Sequence, residues 1–197
     1  MADPAASLRH ARKRLDLTQA QAALLLATSQ ANISAYERGR LEPGRIVAER
    51  IDALAALTPD SVYSTYLAST IPSAAAQLRK DLAEQRSETD MLRVVIQASD
   101  DFQKLTEPTD QAFFLTEPSL TGSKRWDALL AGLTVHLCRQ AGMPRTPVWT
   151  TDPSRVIDFV WWVDSLAPSA QAQLIQLAIP AMRARGVMMS RRNLESV

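Results

Sequence analysis

Hydrophobic residues recur every three to four positions along most of this chain, which is the spacing of one face of an α-helix. Alternating stretches typical of strands are few, and glycine occurs only 6 times in 197 residues. The N-terminal part contains short helical patterns at residues 7–15, 18–26, 29–38 and 44–57. The pattern therefore predicts a mainly α-helical protein that begins with a compact series of short helices.

The rest of the chain continues the helical pattern after a boundary rich in Pro, Ser and Thr at residues 57–73. A long helix, broken near the stretch "RSETD", is predicted from residue 73 to about 105. Leucines four apart in its first half suit packing against another domain or a second subunit, and dimerisation stays one of the two alternatives. Further predicted elements are helices at 126–140, from 153 through "VIDFVWWVDSL", and at 169–185 with a restart at Pro180, then a closing helical turn or strand at 190–197.

Two helix-start signals lie eleven residues apart, at Thr18 and at Ser29, with almost no loop between them. Two short helices joined by so tight a turn form a helix-turn-helix, which places its second helix in the DNA major groove. In its interior, Leu24 and Ile33 are expected to meet in the core. The turn carries Ala27 where glycine is common, and a left-handed conformation there would cost alanine roughly 1 kcal/mol.

The segment 8–57 resembles the Xre/Cro/C1 family of helix-turn-helix DNA-binding domains. The residues that carry the resemblance are Leu8-Arg9, Arg12, Leu17-Thr18-Gln19, Ala23, Ser29-Gln30, Ile33-Ser34, Tyr36-Glu37-Arg38-Gly39 and Pro43. The resemblance implies a five-helix, lambda-repressor-like domain over residues 1–70. We divide the remainder into a connecting helical segment, 71–105, and a C-terminal helical domain, 106–197.

The resemblance also implies roles for individual residues of the predicted second and third helices. Residues expected to meet base edges are Gln30, Ala31, Ser34 and Ala35. Only Gln30 can make a bidentate contact, for which adenine is the usual partner. Residues expected to contact phosphates are Thr18, Gln19, Ser29, Asn32, Arg38 and Arg40. Arg12 and Glu37 are expected to form a structural ion pair, whereas Arg9, Lys13 and Arg14 are either a solvated face or an attraction for DNA.

The C-terminal half is rich in aromatic residues, which form a core or a protein interface far more often than a cofactor site. All 4 tryptophans lie there, and the candidate partner-binding residues are Trp126, Trp149, Trp161 and Trp162. This half is similar to the second domain of a group of actinobacterial Xre-type proteins, many of which are antitoxins encoded beside a toxin. The resemblance implies an autorepressing antitoxin that binds double-stranded operator DNA and neutralises a cognate toxin. A homodimer is expected because the base-reading face of one copy is sparse. The alternative is a ligand-responsive repressor whose C-terminal domain senses a small molecule.

Composition narrows the remaining functional classes. The chain has a single cysteine, Cys138, and only His10 and His136 as histidines, so no zinc site or catalytic Cys-His pair is expected. Scattered carboxylates suit helix caps better than metal binding, and we expect no enzyme activity, no metal and no cofactor. The net charge of +1, the acidic start and the lack of a long apolar run predict a cytoplasmic, nucleoid-associated protein without a membrane segment.

Overall fold

The computed structural model describes residues 4–65, 68–163 and 168–194, and the protein is mainly helical, as predicted. The helices before the predicted boundary are α1 (Pro4–Arg14), α2 (Gln19–Leu25), α3 (Gln30–Glu37), α4 (Arg45–Ala56) and α5 (Val62–Thr65). The later helices are α6 (Ile71–Ala83), α7 (Glu88–Gln103), α8 (Pro108–Phe114), α9 (Lys124–Gln140), α10 (Pro168–Leu177) and α11 (Pro180–Arg183). None of the helices in these ranges is long and apolar enough to cross a membrane.

Two compact units divide the chain at positions that differ from the predicted boundaries. The first unit comprises Met1–Ala76 and Asp101–Ser119, and the second comprises Gln77–Asp100 and Leu120–Val197. Residues 101–119, which were assigned to the connecting and C-terminal segments from sequence, therefore complete the unit that contains α1–α5.

The first unit has a core built mainly by α1–α4, and the five helices expected from the sequence are α1–α5 of this unit. Leu8, Ile33 and Leu54 are fully buried there. The prediction that Leu24 joins Ile33 in this core was wrong, because Leu24 is 65% exposed. Ala22, Ala23, Leu25 and Leu26 are buried here, and the three- and four-residue spacing of Ala22, Leu25 and Leu26 places Leu24 on the opposite face.

The predicted break in the long helix is confirmed between α6 and α7. Gln85 has a positive φ of 55°, and the Arg86 N–H donates to the carbonyl of Asp81 (2.9 Å), which closes α6. Ser87 then caps α7, since its Oγ accepts a hydrogen bond from the Asp90 N–H (3.2 Å). Local side-chain chemistry therefore explains both ends of the break.

The second unit is organised around α9, which is buried along almost its whole length, from Trp126 to Cys138. Gly132 allows α11 to approach α9 closely, since a Cβ at this glycine would lie 2.9 Å from the Cα of Met182. The predicted restart at Pro180 is confirmed, because proline occupies the first turn of α11.

The prediction of a helix from 153 through 166 was wrong in the described part of that segment. Residues Val148–Thr151 and Pro153–Arg155 form short 3-10 turns, and β1 (Trp161–Trp162) pairs in parallel with β2 (Val187–Met188). Branched and aromatic side chains from Val156 onward favour an extended backbone, which explains why β1 replaced the helix. Residues 164–167, at the end of this predicted helix, lie outside the described residues. Of the closing element predicted at 190–197, Arg191–Leu194 forms a 3-10 turn, and 195–197 lie outside the described residues.

Candidate nucleic-acid interface

The helix-turn-helix begins with two side-chain caps, at the two positions that the sequence indicated. Thr18 Oγ1 accepts the Gln21 N–H (3.2 Å), and Gln21 Oε1 accepts the Thr18 N–H (2.8 Å), which is a complete capping box for α2. Ser29 Oγ accepts the Asn32 N–H (3.1 Å) and caps α3. Both helix starts are therefore fixed by residues within a few positions of them.

The turn between these helices has the left-handed residue that was expected at its usual glycine position. Ala27 has a φ of 50°, and the Thr28 N–H donates to the carbonyl of Ala23 (2.9 Å) across it. The amide of Asn32 donates to the hydroxyl of Thr28 (3.0 Å), so the first turn of α3 is bonded to the connection. These bonds hold α3 in one orientation against α2 in spite of the strained alanine.

The carboxylate of Glu37, only 6% exposed, joins the first three helices. Its Oε1 accepts from Arg12 Nε at 2.6 Å and its Oε2 from Arg12 Nη2 at 3.3 Å, which confirms the geometry of the expected pair. Gln19 Nε2 also donates to Oε2 (2.8 Å), and Arg9 donates to the backbone carbonyl of Glu37. Burial raises the pKa of Glu37, but the hydrogen bonds from Arg12 and Gln19, with the charges of Arg12 and Arg9, outweigh it and leave that pKa lowered.

The outer face of α3 is left to solvent by this arrangement. Gln30 and Ala31 are exposed at its start, while Ser34 and Ala35 are half-buried one turn later. Glu37, the one carboxylate of α3, is buried, so the exposed face carries no negative charge. A helix of this kind can enter the major groove without bringing an anion toward the phosphates.

The residues predicted to contact phosphates differ in whether their side chains already bind other groups of the same unit. Arg38 and Arg40 are exposed just beyond α3, and neither forms an ion pair with any residue the structure describes. Gln19 and Asn32 instead use their amides to bind Glu37 and Thr28. Arg14 donates to the carbonyls of Ala55 (2.8 Å) and Leu57 (2.7 Å), a structural role that neither of its two predicted alternatives included.

Two buried charged residues that support the motif were not found from the sequence. Arg50, 1% exposed, donates to the carbonyl of Leu26 (2.8 Å) at the end of α2 and twice to the carbonyl of Glu117 (2.9 and 2.7 Å). Asp110 accepts from Ser61 Oγ (2.7 Å) and the Val62 N–H (3.0 Å). A charged residue within the apolar pattern of α4 was the available signal for Arg50, whereas no local signal relates Asp110 to residues near position 61.

The predicted partner-binding tryptophans occupy the core of the second unit. Trp126, Trp161 and Trp149 are 0%, 6% and 8% exposed, and the rings of Trp126 and Trp161 meet edge to face at 5.1 Å. Packing within the unit therefore covers most of these three side chains, and their predicted role in partner binding stays a prediction. Trp162 is half-buried against Leu174 and its neighbours.

Residues 5–62 match a protein family described as "Helix-turn-helix domain". The match covers α1 to the start of α5 and includes every residue assigned to DNA contact. It supports DNA binding and transcription regulation by this part of the chain. Neither the curated proteins nor the solved structures yielded a match to the chain.

Proposed function

We propose that this protein is a sequence-specific, Xre-type transcriptional regulator that binds operator DNA as a homodimer and is the antitoxin of a toxin-antitoxin pair. In this proposal α3 lies in the major groove, where Gln30, Ala31, Ser34 and Ala35 face the bases. Thr18, Gln19, Ser29, Asn32, Arg38 and Arg40 lie toward the phosphates. The second unit binds the toxin.

The observation that carries the DNA-binding proposal is the position of α3. Hydrogen bonds hold this helix against α1 and α2, and its exposed face carries no carboxylate. Caps at Thr18 and Ser29 and the contacts of Glu37 fix the helix before DNA arrives, so binding needs little ordering of this unit. The exposed arginines Arg38 and Arg40 supply positive charge beside a face that lacks carboxylates.

Binding to duplex DNA tests this proposal directly. An operator selected from random duplexes should bind with an affinity that falls steeply with salt, because phosphate contacts release counterions. Gln30→Ala should weaken binding to this operator by about 1–3 kcal/mol, the worth of one bidentate base contact, and leave binding to a scrambled duplex nearly unchanged. Fluorescence anisotropy over a salt series measures both quantities.

Arg40→Gln is the matched control, since it removes a predicted phosphate contact and no base contact. It should weaken binding to both duplexes equally and reduce the salt slope by about 1. Equal losses on both duplexes with Gln30→Ala would refute the base-reading role of Gln30, and no saturable binding to any duplex would refute the function.

The homodimer follows from the sparse chemistry of the exposed face. One amide and a few small side chains distinguish few base pairs. Two copies of the chain on a two-fold site double the number of base pairs that are read. Sedimentation of the protein with its operator should give two chains per duplex. A single chain bound at saturation would contradict the dimer.

The partner-binding role is supported by exposed apolar side chains in the second unit. Val148, Phe159 and Val160 are 85%, 50% and 51% exposed within a segment that otherwise forms core and short turns. Co-expression with the adjacent gene tests the antitoxin role, which requires that gene to be toxic alone and harmless together with this protein. Phe159→Ser with Val160→Ser should restore toxicity, whereas Leu177→Ser, which changes another exposed apolar residue of this unit, should not.

A cavity in the second unit supports the ligand-responsive repressor as a second candidate. The cavity, of about 270 Å³, lies beside the end of α9 and close to α11. If the adjacent gene product proves harmless and DNA binding changes with a small molecule, this candidate replaces the antitoxin.

A further inference from the structure

The cavity beside α9 has an unusual concentration of basic side chains. It is lined by His136, Arg139 and Gln140 from the last turns of α9, by Ile179, Pro180 and Ala181 at the start of α11, and by Arg191 from the closing 3-10 turn. Basic groups from two distant parts of the sequence therefore meet at this cavity. The three residues at the start of α11 supply an apolar wall.

Among the described residues, no Asp or Glu lines this cavity. Within the same ranges, the guanidinium groups of Arg139 and Arg191 form no hydrogen bond or ion pair. Arginine side chains placed together repel one another, so a site of this composition gains free energy when an anion enters.

His136 is the least exposed of the basic residues that line the cavity. It is only 6% exposed, and its ring makes no hydrogen bond to another residue within the part of the chain that the structure describes. Because His136 lines the same cavity as the two arginines, its N–H is available to a ligand that enters there.

We propose that this cavity binds a small organic anion through its oxyanion group, a carboxylate or a phosphate monoester, held by His136, Arg139 and Arg191. The two arginines form charge-assisted hydrogen bonds to the oxygens, and the imidazole donates its N–H to one of them. The apolar wall of Ile179, Pro180 and Ala181 covers the body of the ligand.

The volume of the cavity suits a small ligand. At about 270 Å³ it lies just below the range of roughly 300–1,000 Å³ in which drug-sized ligands bind. A short-chain carboxylic acid or a small phosphate ester fits this volume.

The protonation of His136 is consistent with this assignment. Burial and the charges of Arg191 and Arg139 lower the pKa of His136, so the ring is neutral near pH 7 and has one N–H to donate. Bound negative charge beside the ring would oppose the arginines and raise this pKa again.

Nuclear magnetic resonance of the two histidines tests the proposal in the full-length protein. The chain has only His10 and His136, and His10 is exposed on α1, so it serves as an internal reference. The imidazole C–H signals are followed during titration with sodium phosphate and, separately, with sodium butyrate. A sodium chloride series at equal ionic strength controls for salt.

We expect the His136 signals to move saturably with at least one of the two oxyanions and its pKa to rise, while the His10 signals follow the chloride series. A response to phosphate alone assigns a phosphate monoester, and a response to butyrate alone assigns a carboxylate. If neither oxyanion moves the His136 signals beyond the effect of chloride, the proposal is wrong.

Neighbouring arginines provide a matched pair of variants. Arg191→Gln should lower the affinity for the responding anion about tenfold, since it removes one charge-assisted hydrogen bond. Arg192→Gln removes the same charge next to it but does not line the cavity, so it should leave the affinity unchanged. Equal losses in the two variants would overturn the proposal in favour of general attraction by the basic surface.

Folding of the variants is checked by tryptophan fluorescence, because all 4 tryptophans belong to the second unit. If Arg191→Gln does not fold, Arg139→Gln replaces it with the same expectation.

The anion site deepens the ligand-responsive candidate and rests on it for its biological meaning. The histidine titration requires no DNA, so a failed titration leaves the DNA-binding proposal intact, and a failed operator selection leaves the anion site intact.

Discussion

Each of the two units of this protein is stabilised internally by a different kind of contact. In the first unit, the buried charged residues Glu37, Arg50 and Asp110 each bind several polar partners on other elements. In the second unit, α9 is enclosed by aromatic and aliphatic side chains, and glycines allow close approach of the backbone. Each unit also has an apolar core, but buried charges with several partners are prominent in the first unit and close backbone packing in the second. Substitutions should therefore affect the two units in different ways.

The largest expected effect tests the role of charge in the first unit. Glu37→Ala should reduce the free energy of unfolding of that unit by about 3 kcal/mol, because it leaves Arg12 and Gln19 without their buried acceptor. Urea unfolding is followed by circular dichroism, which reports on the helices of both units, and by tryptophan fluorescence, which reports on the second unit alone. A loss confined to the first unit moves part of the circular dichroism transition and leaves the fluorescence transition in place. Glu49→Ala is the control, since Glu49 pairs with Arg45 at an exposed site and its loss should cost no more than about 0.5 kcal/mol.

If the tryptophan transition moves as far as the helical transition in Glu37→Ala, the two units unfold as one, and their stabilities cannot be compared separately.

The pH dependence provides a second check on the same residue. Because the pKa of Glu37 is lowered in the folded protein, its ionised form stabilises the fold above the ordinary pKa. This contribution is lost as pH falls through the lowered pKa, so the stability difference between the wild type and Glu37→Gln should shrink on acidification.

A glycine substitution tests the role of shape in the second unit. A Cβ at Gly186 would lie 2.6 Å from Ile157 Cγ1 and 2.6 Å from the carbonyl oxygen of Phe159, and Gly186 has a φ of 83°. Gly186→Ala should therefore cost about 3 kcal/mol, from backbone strain and steric overlap together. The loss is measured by tryptophan fluorescence during urea unfolding.

Gly142→Ala separates the two contributions. Gly142 has a similar φ of 65°, but a Cβ there would meet nothing within 4 Å. This variant should cost only the strain of a left-handed alanine, about 1 kcal/mol. Equal losses in both glycine variants would mean that close packing around β1 and β2 contributes little.

Much of the first unit could be predicted from the sequence because local chemistry determines its helix ends and its turn. Thr18 and Ser29 cap the helices that they precede, and Ala27 adopts the left-handed turn, all through bonds that span five residues or fewer. Signals of this kind are visible in a linear sequence. The exposure of Leu24 was predicted wrongly because two adjacent leucines offered equally good core positions.

The second unit could not be predicted to the same extent, because its elements depend on distant partners. The pairing of Trp161 with Val187 replaces a helix that the pattern of apolar residues equally allowed. The cavity around His136 likewise joins α9 to Arg191, more than fifty positions later in the chain. Short apolar runs do not distinguish a strand from a buried helix unless the pairing strand is known.

A smaller effect tests whether residues 101–119 stabilise the first unit. Asp110→Ala removes the acceptor for Ser61 and for the Val62 N–H, and should cost about 2 kcal/mol in the helical transition. Thr109→Ala, at an exposed position of the same helix, should change stability by less than about 0.5 kcal/mol. Hydrogen exchange localises the loss, and protection unchanged in α4 and α5 would show that the contact is dispensable.

The smallest expected effect concerns the turn itself. Ala27 has a φ of 50°, and relieving this conformation should outweigh the backbone entropy of glycine, so Ala27→Gly should stabilise the first unit by roughly 0.5 kcal/mol. Ala20→Gly, at an exposed position of α2 with ordinary helical geometry, should instead destabilise it by up to about 1 kcal/mol. Stability changes of opposite sign for these two Ala→Gly substitutions would show that the caps and Glu37 hold Ala27 in a backbone conformation that alanine itself disfavours. If Ala27→Gly were also destabilising, the turn would owe its shape to the alanine methyl group, and the hydrogen bonds on either side would be insufficient to orient α3.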